Sequence, residues 1–296
     1  MDDVVKLMRR EFSGIAIDGL TLEQAVARCI DAVESRSYLA VGVVNAAKIV
    51  AMRRNEQLRR AVTGCDMVLA DGQSVVWACR LLGAPLPERV AGIDLFYELL
   101  GVAARRAYRV YFLGARQDVL DRMLAAVGRC HPGLAVAGAR HGYFGRGAEP
   151  AIVAEISRSR PDLLFVGTSS PAKELFISRW GKQSGACIVH GVGGSFDVLA
   201  GLTRRAPAWY QKHGLEWFYR ARQEPVRLGR RYLMTNFAFM TLVARELGRH
   251  QAGRGEAPSR DPYPLTALIP PQAVPAEDLA QARPADTGAD RESSPP

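Results

Sequence analysis

The chain has 296 residues, 48% of them hydrophobic and 23% charged, which is enough apolar material to bury the core of one large or two small domains. Its five cysteines are odd in number, far apart and never spaced C-x-x-C, which argues against both a disulfide framework and a zinc knuckle. A formal charge of +9 calls for an anionic partner, and with no RNP motif or C2H2 spacing, nucleic acid is set aside in favour of diphosphates or an anionic membrane.

The N-terminal arm MDDVVKLMRREFSGIAIDG has no apolar signal segment. No run anywhere approaches the roughly 20 apolar residues that cross a bilayer, so the chain reads as cytoplasmic. Thr21-Leu-Glu-Gln24 forms a capping box ahead of AVARCIDAV, making a helix the first expected element. LAVGVV (39–44) is a short apolar strand ending at Asn45, followed by one helix over AKIVAMRRNEQLRRAV. The unit repeats as strand MVLA, the turn Asp71-Gly72 and the helix SVVWACRLLG, then as YRVYFLG with the helix QDVLDRMLAAVGRC and the strand LAVAG. DLLFVG leads to a helix near Pro171, and ACIVHGVGG closes the series.

Apolar strands alternating with amphipathic helices predict an α/β fold: a Rossmann-like, mostly parallel sheet flanked by helices. Ligands of such sheets bind beyond the carboxyl ends of the strands, where Asn45, Asp71, Gly114, Gly167 and Gly191 fall. Neither G-x-G-x-x-G nor G-x-x-x-x-G-K-[ST] occurs, so neither a dinucleotide cofactor nor a P-loop is expected. The core is assigned to 1–200 and a basic helical appendage to 201–248. The appendage segment LMTNFAFMTLVA is read either as an interfacial helix or as one packed on the protein's own core. A Pro-rich disordered tail is assigned to 249–296.

Asp71, between a strand and a helix, is placed to act as a general base or simply to cap that helix. Asn45 carries the same ambiguity between cap and ligand contact. The run Gly191-Val-Gly193-Gly194 either exposes amides to a phosphate or makes a plain tight turn, and Asp197 either binds a sugar hydroxyl or caps a helix. No metal site is read from the histidines, which lack ligand spacing. The interleaved aromatics Trp209, Tyr210, Trp217, Phe218 and Tyr219 are expected to pack the appendage on the main domain.

The ordered set VVNAAKIV, DMVLADGQSVVWACRLLGAPLPERVAGIDL, FLGARQDV, PDLLFVGTSSPAKELF, GVGGSFDVLAG and RRAPAWYQKHGLEWFYRARQEP resembles the WecG/TagA/CpsF glycosyltransferases over about residues 38–233. The resemblance implies transfer of a hexose or N-acetylhexosamine from a UDP-sugar to an undecaprenyl-diphosphate-linked sugar. It further implies inversion, no metal and no cofactor. Asp71 matches the family's proposed base and Asn45 its active-site asparagine. Arg89 matches an arginine of the substrate pocket, and Arg220, Arg227 and Arg230 match appendage arginines that meet a diphosphate. Gly72, Lys173, Glu174, Gly193, Gly194 and Asp197 complete the expected substrate contacts.

Two departures stand out. Where many members have T-x-N, the chain has Val43-Val44-Asn45, and where many have G-x-G-x-P-x-Q-E, it has Gly167-Thr-Ser-Ser-Pro171-Ala-Lys173-Glu174. The second puts a cation in the pocket, which either selects a different sugar or holds a diphosphate. The enzyme is expected at the inner face of the cell membrane, in surface or exopolysaccharide synthesis, with homo-oligomerisation left open. The rival readings are a basic membrane scaffold for polysaccharide assembly and a nucleotide-sugar-modifying enzyme.

Overall fold

The computed structural model describes residues 9–207, 209–210, 216–223 and 230–253. The expected helix is preceded by something the sequence reading did not foresee, a hairpin of β1 (Arg9–Phe12) and β2 (Ile15–Asp18). Ser13 and Gly14 between them have φ of 52° and 71°, the left-handed pair that lets a two-residue loop follow the strand twist. Four-residue strands with the sequence RREF carry too little alternation to be recognised. The hairpin is fastened by buried Asp18, whose Oδ2 accepts the Val68 N–H at 2.7 Å and whose Oδ1 pairs with Arg9 at 3.0 Å and Arg28 at 3.6 Å.

Helix α1 (Leu22–Glu34) follows the capping box, with the Gln24 N–H donated to Thr21 Oγ1 and the Thr21 N–H to Gln24 Oε1. Strand β3 (Leu39–Val44) leads into α2 (Ala46–Met52) and α3 (Glu56–Thr63). These were expected to be one helix. Asn55 divides them, because its Oδ1 accepts the Leu58 N–H at 2.9 Å and starts a new helix there. The chain continues through β4 (Met67–Ala70), α4 (Gln73–Leu81) and α5 (Gly92–Arg106). Next come β5 (Arg109–Gly114), α6 (Gln117–Cys130), β6 (Ala135–Arg140) and α7 (Glu149–Arg158). The core ends with β7 (Leu163–Gly167), α8 (Ala172–Trp180), β8 (Ile188–Gly191) and the short α9 (Ser195–Leu199).

Six strands form one parallel sheet in the order β4-β3-β8-β7-β5-β6, the expected Rossmann-like architecture. One face is covered by α1, α5, α6 and α9 through residues such as Phe96, Leu120 and Phe196, and the other by α7 and α8 through Ile152, Ile156, Phe176 and Ile177. The chain leaves β3 toward α3, which packs on α8, and leaves β8 toward α9, which packs on α6. These two connections lie on opposite faces, so the carboxyl ends of β3 and β8 open a crevice between them.

Helices α10 (Glu216–Gln223) and α11 (Arg230–Gly253) make up the described appendage. Helix α11 continues past Gly248, where the tail was assigned to begin. It packs on the protein's own core: Phe239, Leu242 and Val243 are buried in a third cluster with Phe12, Ile17, Ile49, Met52 and Val75. Each such side chain contributes roughly 1.5–3 kcal/mol. The opposite face keeps Met234, Phe237 and Met240 exposed at 62, 73 and 64%. Among the aromatics, Tyr210 packs on Trp209 and Tyr219, while Trp209 and Phe218 remain largely exposed. No helix among the described residues is long and apolar enough to cross a membrane.

Candidate active site

Asp71 follows β4 at the crevice. It does not cap the next helix: Gly72 is the N-cap of α4, with no side-chain cap hydrogen bond. Instead Asp71 Oδ1 accepts the Gly92 N–H at 3.0 Å and Oδ2 accepts Asn45 Nδ2 at 3.3 Å. Asn45 is a cap as well, since its Oδ1 accepts the Lys48 N–H at 3.0 Å and starts α2. A Cβ on Gly72 would lie 3.0 Å from that of Asn45, so a side chain there would crowd the asparagine.

Gly92 is itself held from behind. Its carbonyl lies 3.0 Å from Nε2 of fully buried His190 on β8. A carbonyl can only accept, so Nε2 carries the hydrogen. Burial lowers the His190 pKa and keeps the ring neutral. Sequence reasoning gave His190 no role, because a histidine inside an apolar strand announces no partner 98 residues away.

Arg89 brings the site its guanidinium, 13% exposed. Nη1 lies 3.5 Å from the Asp71 carbonyl oxygen and 3.2 Å from Glu216 Oε2 on α10, and Nη2 lies 3.7 Å from Asp94. Asp94 also pairs with Arg205 at 2.5 Å. The root of the appendage and its first described helix are thereby tied to the arginine beside Asp71. Arg220 and Arg230 stand on α10 and α11, and Arg227 lies outside the described residues.

On the β8 side, Glu174 Oε1 receives two ammonium groups, Lys48 at 2.8 Å and Lys173 at 3.1 Å. All three side chains are 8 to 10% exposed. Burial on its own would raise the Glu174 pKa, but the two lysines outweigh it and hold the carboxyl down to about 2. Burial and the Lys48 charge lower the Lys173 pKa. Lys48 escaped the sequence reading: a lysine in the first turn of an amphipathic helix normally faces water. The triad and the Asp71 group meet through the first turn of α2, which carries both Asn45 and Lys48.

Gly193, with φ of 54°, passes close to Lys173: a Cβ there would stand 3.5 Å from its Nζ. Gly194 is the N-cap of α9. Asp197 lies in the first turn of α9, where burial raises its carboxyl pKa and Arg116 pulls the other way. Its charged neighbour thus comes from the loop after β5, on the far side of the crevice from Asp71.

The sequence from residue 10 to residue 253 matches the family model described as glycosyl transferase WecG/TagA/CpsF family. Among similar proteins, N-acetylglucosaminyldiphosphoundecaprenol N-acetyl-beta-D-mannosaminyltransferase of Bacillus subtilis (strain 168) is 32% identical over 71% of this chain and 81% of its own length. The protein of the same name from Staphylococcus aureus (strain MW2) is 31% identical over 73% of this chain and 85% of its own. That of Bacillus spizizenii is 36% identical over 59% and 67% respectively. With its sheet, crevice and family match in agreement, this chain is a glycosyltransferase and belongs to the WecG/TagA/CpsF family.

Proposed function

We propose that the protein transfers a hexose or N-acetylhexosamine from a UDP-sugar to a sugar carried on undecaprenyl diphosphate, with inversion and without a metal ion. The observation that carries the reading is the Asp71 carboxylate at the crevice, oriented by the Gly92 N–H at the start of α5 and by the Asn45 amide. The acceptor hydroxyl oxygen attacks the anomeric carbon, its proton passes to Asp71, and the bond to UDP breaks with its electron pair leaving on the diphosphate. Positive charge is available for that leaving group from Arg89, Lys48 and Lys173. The names of the relatives support a lipid-linked acceptor.

The enzyme works at the membrane surface in this reading. The exposed Met234, Phe237 and Met240 of α11 enter the acyl boundary, and the basic composition of the appendage attracts anionic headgroups. The test is UDP release from a panel of UDP-sugars with an undecaprenyl-diphosphate-linked sugar analogue. Acceptor-dependent turnover that drops by about 10²–10⁴ in Asp71→Asn is the expected result. Wild-type turnover in that variant would remove Asp71 from the role, and failure of every donor with folded enzyme would overturn the donor class.

A further inference from the structure

Three buried charges at the end of β8 do not balance. Lys48 and Lys173 converge on a single oxygen of Glu174, so the triad carries one cation more than it can neutralise. Asp71 is close enough to act electrostatically on Lys173 but lies in no ion pair with it among the described residues, and its oxygens are engaged by Gly92 and Asn45. An uncompensated ammonium out of water is costly, and the cost is relieved either by loss of a proton or by an anion that completes the charge.

The surroundings indicate where that ligand sits. The cavity bounded by Val43, Lys48, Cys65, Lys173, Glu174 and Gly191 is about 10 Å³, room for no more than a water, so a larger group stays at its mouth. Lys173 lines the cavity beside the loop after β8. Its stem packs where a Cβ on Gly191 would be, 3.1 Å from Cδ, and its ammonium reaches the position a Cβ on Gly193 would take, 3.5 Å from Nζ. Glycine at both positions keeps a Cβ out of the space beside the ammonium.

We propose that Lys173, with Lys48 and Glu174 behind it, forms an oxyanion subsite against the Gly191–Gly194 loop that takes a negatively charged group of the sugar donor. Glu174 holds the two lysines together, and the surplus charge faces the ligand. Two donor groups have this chemistry: the diphosphate of the nucleotide, and a ring carboxylate if the transferred sugar is a uronic acid. The inference rests on the transferase reading for its donor, but the subsite itself depends only on charge.

The experiment is calorimetric titration of the full chain, wild type, Lys173→Gln and Lys173→Met, with inorganic pyrophosphate, uridine, UDP, a neutral UDP-hexose and a UDP-hexuronic acid. Lys173→Met leaves a balanced Lys48–Glu174 pair and is expected to stay folded. A diphosphate-holding subsite loses about tenfold or more in UDP and pyrophosphate affinity in both variants, with uridine unchanged. A carboxylate-reading subsite keeps UDP affinity and loses the wild-type preference for the uronic donor. Pyrophosphate binding that requires Lys173, without binding of any UDP compound, would uphold the subsite and overturn the donor reading. Wild-type binding of UDP and both donors that neither variant alters would overturn the subsite.

Discussion

Replacing Glu174 by glutamine should destabilise the protein far more than replacing the lysine beside it. In Glu174→Gln the Lys48 and Lys173 ammoniums, 2.8 and 3.1 Å from the lost charge, are left together in a buried site. The size of the loss follows by two routes. A glutamate held at about 2 against its ordinary 4.5 stabilises the fold by about 3 kcal/mol, at roughly 1.4 kcal/mol per pH unit. Removing one partner of a buried ion pair costs about 3–5 kcal/mol by mutational experience. A deficit of about 3 kcal/mol lowers Tm by roughly 6–12 °C in a protein of this size.

Lys173→Met leaves one cation on one anion and should stay within about 1 kcal/mol of wild type. Urea unfolding at pH 7.5 measures all three proteins. Because the folded Glu174 value is depressed, its contribution is complete above about pH 4.5 and is lost as pH falls from there through about 2. The gap between wild type and Glu174→Gln should therefore narrow over that window. If Lys173→Met costs as much as Glu174→Gln, the triad holds no surplus cation and the reasoning fails.

Two further outcomes are expected. Changing Met234, Phe237 and Met240 together to serine should leave the melting temperature in place, since these side chains touch solvent, and should abolish cosedimentation with anionic vesicles; unchanged binding would dissociate the helix from the membrane. Asp18→Asn keeps an acceptor for the Val68 N–H but removes the anion from Arg9 and Arg28, which are 38 and 25% exposed and keep their bonds to the Asp66 carbonyl. Partial solvation limits the loss to about 1–3 kcal/mol in urea unfolding, with turnover on a soluble acceptor retained.

The parallel sheet was legible because β3, β4, β5 and β7 are short apolar runs that each end at a polar or glycine residue, a pattern that burial on both faces imposes. Helix α5 was not read from the sequence, although Asp94, Glu98 and Arg105 recur at helical spacing on its less buried side. The juxtaposition of Asn45 and Asp71 could be anticipated from adjacent strand ends. What fixes them could not: the Gly92 N–H and His190 come from segments whose chemistry is ordinary until folding aligns them. The same holds for Lys48 and Glu174, which meet across two helices far apart in the chain.

The third cluster closes with side chains from both ends of the described chain: the Phe12 and Phe239 rings stand 5.7 Å apart. Synthesis, however, runs in one direction, and N-terminal parts fold first. A growing polypeptide passes Gly191 and can complete its six-stranded sheet well before Phe239, Leu242 and Val243 exist. During that interval Phe12, Ile49 and Met52 lack their cover, an apolar surface on an otherwise finished sheet. Any shortened version ending before α11 is frozen in that interval, so its behaviour at membranes would report an uncovered core as much as a missing anchor.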